Sequence, residues 1–189
     1  MKSLKYALAA LCLVAGSSPL LAQAVGTTGY QFVDAVRTQD GDKVQELFNS
    51  AGPRIVDAKD VKGDTGLIAA ISNGDDRFTA FLLNKGADPN LAGKDGETPL
   101  ITAARANYTD AVEWLLGEGA KPNIANRKGE TPLIIAVQQR EPRIVKFLLQ
   151  AGADPDRADS VAGFSARDYA TRDNRSREIL NLLPVKKGS

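Results

Sequence analysis

Three aspartates in one short stretch, Asp154, Asp156 and Asp159, are the first residues in this chain whose type and spacing suggest chemistry, in the form of an oxygen-ligand site for calcium. An EF-hand loop needs ligands at its first, third and fifth positions, a central glycine and a distal glutamate, and the stretch lacks that order. Aspartates beside glycine and proline read as turn formers. Gly93 to Gly96 contains glycine without a lysine-serine/threonine ending or a preceding apolar strand, so it does not read as a phosphate loop. The chain has no histidine. The usual nucleophile-base pairs and the commonest nitrogen ligand for zinc are therefore missing. Paired carboxylates remain as catalytic candidates, but nothing in the sequence singles out a pair in a cleft. No catalytic residue, cofactor or metal ligand is assigned, and the chain reads as a non-enzyme. An enzyme built on carboxylates is the weakest of the functional readings.

Composition fits that outcome. Of 189 residues, 43% are apolar and 25% charged, an ordinary globular balance. A net charge of +1 suggests neither a nucleic-acid footprint nor a polybasic membrane patch. Residues 1–24 read as a secretory signal: Lys2 and Lys5, an apolar run from Tyr6 to Ala15, and Ala22-Gln23-Ala24 at the cleavage point. The apolar run is too short to span a bilayer. Cys12, the single cysteine, follows Leu11 and so lacks the small residue that a lipoprotein signal places before it. Cleavage after Ala24 would leave a cysteine-free chain with no membrane attachment, held by apolar packing alone. The brevity and lysine-rich start of the signal point to a bacterial exported protein, with the periplasm expected and the extracellular space as the alternative. In that setting the acceptor-like triplets at Asn107 and Asn174 are chance matches.

The elements that would position any site are set by a repeat. Residues 60–67 (DVKGDTGL), 93–100 (GKDGETPL) and 126–133 (NRKGETPL) are each displaced by 33, as are 86–90 (GADPN), 119–123 (GAKPN) and 152–156 (GADPD). Self-similarity at two points in each unit is the sign of a stacked solenoid. In the third unit Thr98 caps a helix, Pro99 occupies its first position, and Leu100, Ala103 and Ala104 face inward. A second helix carries Val112, Leu115 and Leu116 and ends at Gly119. Trp114 shares its position with Phe81 and Phe147, so it reads as packing between repeats in preference to a ligand platform.

These features resemble the ankyrin repeat, with Thr-Pro-Leu starting the first helix and Gly-Ala-Asp closing the second. The resemblance implies an all-α ankyrin solenoid over residues 25–184. Its five helix pairs are expected near 30–58, 59–91, 92–124, 125–157 and 158–184, with a polar tail at 185–189. The outer two units read as degenerate caps. Phe32, Ala35, Val36, Val44, Leu47 and Phe48 repeat the later apolar pattern at an offset of 35, the two extra residues falling near Gly52-Pro53. Ala170, Ile179, Leu182 and Leu183 repeat it at 34, with an insertion near Ser160. The chain departs from the family where Ile68, Ile101 and Ile134 replace a histidine that ties neighbouring turns, which implies more reliance on packing. Gly66 replaces a proline and weakens the helix start of unit two.

In the family, turn tips and the exposed side of the first helices line a concave partner surface. Carried over residue by residue, that surface includes Lys62, Asp64, Lys94, Asp95, Glu97, Arg105, Arg127, Lys128, Glu130, Gln138, Gln139 and Arg172. The expected arrangement is an acidic row of Asp64, Glu97 and Glu130 beside a basic row of Lys94 and Arg127. Reversing Lys94, Arg105 and Arg127 to glutamate is expected to spare the fold. The implied partner is an exported protein bound by a monomer. The alternative is a secreted effector aimed at a host or competitor protein.

Overall fold

The structure, a computed structural model, describes residues 19–185. The expected signal lies outside the described residues up to Ser18, as does the polar tail after Val185. Among the described residues there are ten α-helices in five antiparallel pairs: α1 (Pro19–Arg37) with α2 (Gly41–Ala51), α3 (Gly66–Ser72) with α4 (Asp76–Asn84), α5 (Pro99–Arg105) with α6 (Thr109–Gly117), α7 (Pro132–Gln139) with α8 (Pro142–Gln150), and α9 (Ala166–Arg172) with α10 (Arg177–Leu182). A 3-10 turn over Pro53–Asp57 absorbs the longer first loop. The first helices of successive units pack on one another in one layer, and the second helices form a layer behind them.

Local chemistry explains why the helices begin where they do. Thr65, Thr98 and Thr131 each accept a hydrogen bond from the backbone N–H three residues on, at 3.2–3.3 Å. Ser165 does the same and completes a capping box with Asp168. Between the helices of a pair the chain turns through a left-handed residue: Gln39, Gly74, Asn107 and Arg140, at φ of 53–64°. The core runs unbroken along the stack, from Phe32 and Val36 through Leu67, Ile71, Leu100 and Leu133 to Ala170, Ile179 and Leu183. Both degenerate caps thus bury the residues their offsets assigned to the core. Phe48 and Leu182 sit at its edge.

Ile68, Ile101 and Ile134 are buried in the stack. The turn tips are nevertheless tied by hydrogen bonds, because backbone groups take the role expected of histidine. Arg127 N donates to Asp95 O at 2.9 Å, and Ser160 N to Lys128 O at 2.8 Å. Behind the stack Asn90 spans two units, accepting from Lys121 N at 2.8 Å and donating to Gly119 O at 3.2 Å. Asn123 repeats this with Asp154 N and Gly152 O. The asparagines that end the repeated segments 86–90 and 119–123 therefore fasten one repeat to the next.

Candidate functional site

The tips and first helices enclose a front groove, and its polar residues form one row per unit. Asp60, Asn126 and Asp159 share a repeat position. Each side chain accepts hydrogen bonds from backbone N–H groups of its own tip: Lys62 and Asp64, Lys128 and Glu130, and Val161, Ala162 and Gly163. In unit three the position is Gly93, and the Asp64 carboxylate crosses from the preceding unit to accept from Lys94 N at 3.0 Å. A Cβ on Gly93 would stand 2.6 Å from that carboxylate oxygen, so the glycine makes the crossing possible.

Arg105 is the centre of the groove. Its guanidinium reaches Glu97 at 3.0 Å within its own unit and Glu130 at 3.1 Å in the next. Asn126 Nδ2 donates to the same two carboxylates, at 3.0 and 2.7 Å. Burial raises the Glu130 pKa, but the Asn126 amide and the Arg105 guanidinium outweigh it and hold the carboxyl below its ordinary range. At Asp60, burial is likewise outweighed by the backbone N–H groups of Asp64 and Lys62 and by Arg37, which pairs with it at 2.6 Å. At the far end Tyr169 donates to Asp159 at 2.6 Å. With the backbone N–H groups, this holds Asp159 low against its burial.

The structure thus changes the expected pattern of rows. Glu97 and Glu130 are drawn together with Arg105, and Asp64 is spent on a backbone N–H, so the acids act as ties between units. Arg127 pairs with Asp95 at 3.2 Å, both exposed. The Lys62, Lys94 and Lys128 ammonium groups have no salt bridge among the described residues and face solvent. Gln138 lies beside the Tyr169 hydroxyl, Gln139 is exposed, and Arg172 stacks 4.2 Å above the Phe164 ring. Arg105 is embedded in a carboxylate pair, so reversing it to glutamate would set three acids together. The expectation that this reversal spares the fold is corrected on that ground.

Arg37, Asp60, Asn126, Asp159 and Tyr169 belong to the groove and were not among the expected site residues. The 33-residue step would have found the turn position, had Gly93 not interrupted it. Tyr169 carries no periodic signal.

The three aspartates weighed as calcium ligands and read as turn formers are separately engaged. Asp154 accepts from Asp156 N at 2.9 Å, Asp156 pairs with Arg167 at 2.6 Å, and Asp159 holds its own tip. Among the described residues no group of three acids or cysteines is placed to hold a metal. No helix among them is long and apolar enough to cross a membrane.

Comparison with protein families matches residues 32–126 to a model of three ankyrin repeats and residues 128–160 to a single ankyrin repeat. The chain belongs to the ankyrin-repeat family. Ankyrin repeats are protein–protein interaction modules. A search of curated proteins returned no match.

Proposed function

We propose that this ankyrin-repeat chain is an exported binding protein that holds a partner protein in its front groove and performs no chemistry of its own. The observation that carries the reading is where apolar surface is left uncovered. The large hydrophobic residues exposed among the described residues are Tyr30 at 45%, Val61 at 82%, Val161 at 76% and Val185. Tyr30 and Val61 line one depression of the groove with Arg37 and Lys62, and Val161 stands on the last tip. Interfaces commonly combine such apolar anchors with a polar rim, and the solvent-facing Lys62, Lys94, Arg127 and Lys128 supply the rim.

The test is affinity capture from periplasmic and culture fractions, with the wild-type chain and a Val61→Asp/Val161→Asp variant compared. A protein retained by the first and lost by the second is expected. Equal retention by both would remove the groove from the interface. Intact-mass measurement of the protein recovered from the producing cell checks export through cleavage after Ala24. Recovery from recipient cells with none in the periplasm would favour the effector reading.

A further inference from the structure

The second-helix layer also forms grooves between consecutive units, and one differs in chemistry from its neighbours. Where α2 meets α4, Phe48 and Phe81 stand edge to face at 5.7 Å. The chain places its own cation there: Lys85 Nζ lies 5.1 Å from the centre of the Phe48 ring and 5.6 Å from that of Phe81. One unit on, Trp114 takes the place of Phe81, Glu118 that of Lys85 and Glu113 that of Ala80. The aromatic ring is kept, its cation is gone, and two carboxylates have been added.

The groove between α4 and α6 has a volume of about 410 Å³, and Leu83, Asn84, Glu113, Trp114, Gly117 and Glu118 line it. Trp114 is half-buried, and Tyr108 stands edge-on to it at 6.2 Å. Gly117 leaves the wall open, because a Cβ there would meet nothing within 4 Å. Among the described residues neither Glu113 nor Glu118 makes an ion pair. In the next groove Lys146 stands in place of Glu113 and Ala151 in place of Glu118, so the combination of indole and two acids is confined to this one.

We propose that this groove is a second binding site, which takes an arginine or lysine side chain from a basic segment of a partner protein. The cation lies against the indole, as Lys85 lies against the phenyl rings next door, and Glu113 and Glu118 complete the charge. A cation on tryptophan is the strongest of the cation–aromatic pairs, and flanking carboxylates add to its selectivity for cations over apolar groups. The site lies on the layer opposite the front groove and does not depend on that groove's reading.

Trp114 is the single tryptophan, so its emission reports this groove alone. Titration of the full chain with a tetra-arginine peptide is expected to change that emission saturably. A Glu113→Gln/Glu118→Gln variant, with both substitutions at exposed positions and an unchanged melting curve, should bind roughly fivefold or more weakly. Absence of a saturable change would overturn the proposal, as would equal affinity in the variant or an equal response to tetra-glutamate. Concentration-dependent dimerisation lost in the same variant would assign the groove to a second copy and overturn it too.

Discussion

Replacing Arg105 with methionine keeps most of the side chain's stem and removes the charge at the centre of the groove. Two charge-assisted contacts are lost, to Glu97 at 3.0 Å and Glu130 at 3.1 Å. The guanidinium is nearly half exposed, so each is worth only about 0.2–1 kcal/mol. A second loss follows from Asn126. Its amide still gathers both carboxylates at 3.0 and 2.7 Å, and without the guanidinium the two like charges repel, by up to about 1 kcal/mol after screening. The variant should therefore be less stable by about 1–2 kcal/mol at neutral pH.

The pH dependence identifies the cause. Glu130 has a folded pKa below its unfolded value, so its stabilisation is complete above the unfolded value of about 4.3 and is lost as pH falls through the folded one. Removing Arg105 removes one source of that depression. The difference between wild type and Arg105→Met should thus be full at neutral pH and shrink steadily in acid below the carboxylate range. Urea unfolding followed by circular dichroism and by Trp114 emission, at neutral and acid pH, measures both values. A difference that persists undiminished in acid would show that the methionine disturbs packing and that the carboxylate pair is not what Arg105 serves. A neutral-pH difference below about 0.3 kcal/mol would show that solvent screens the cluster completely.

Three further substitutions test the stack. Gly66→Ala should stabilise by about 0.4–1 kcal/mol, since glycine costs unfolded-chain entropy and a new methyl would meet the Phe32 ring at an ordinary 3.4 Å; the urea midpoint should rise at unchanged slope. Gly129→Ala should destabilise by about 2–4 kcal/mol, because φ is +76° and the methyl would stand 2.5 Å from Ser160 N, which donates to the neighbouring tip; unfolding by urea should reveal it. Trp114→Ala should lower stability by about 1–3 kcal/mol, less than a fully enclosed ring would cost, as read from thermal unfolding by circular dichroism.

What could be read from the sequence follows from how local each cause is. A threonine three residues before an N–H it caps is a local event, so the start of the first helix in each middle unit was legible, and Ser165 follows the same rule. Burial of Phe32 or Ile179 follows from periodicity and survived even where insertions shifted the step. Contacts between tips were different in kind. The bonds from Arg127 N to Asp95 O and from Ser160 N to Lys128 O involve groups that every residue carries, so no side chain announces them. Periodicity also placed Trp114 correctly beside Phe81 and Phe147, but it does not distinguish a ring enclosed between repeats from one at the open edge of the outer layer.

The front groove shows why charge type alone did not give the site. Listed as formal charges, its acids and bases look like two rows able to face a partner equally. Geometry separates them, because a carboxylate on a short stem close to the backbone is consumed by N–H groups and by the single arginine within reach. Asp60, Asp64, Glu97 and Glu130 all go this way. A lysine on a long stem at the tip finds no comparable partner and stays in solvent. The face offered outward is therefore more basic than the sum of its residues, and a partner reading it would meet Lys62, Lys94 and Lys128 before its exposed acid Asp95, which is paired with Arg127. Charge reversal confined to those three lysines changes what a partner meets while leaving the ties between units in place, which Arg105→Glu would not.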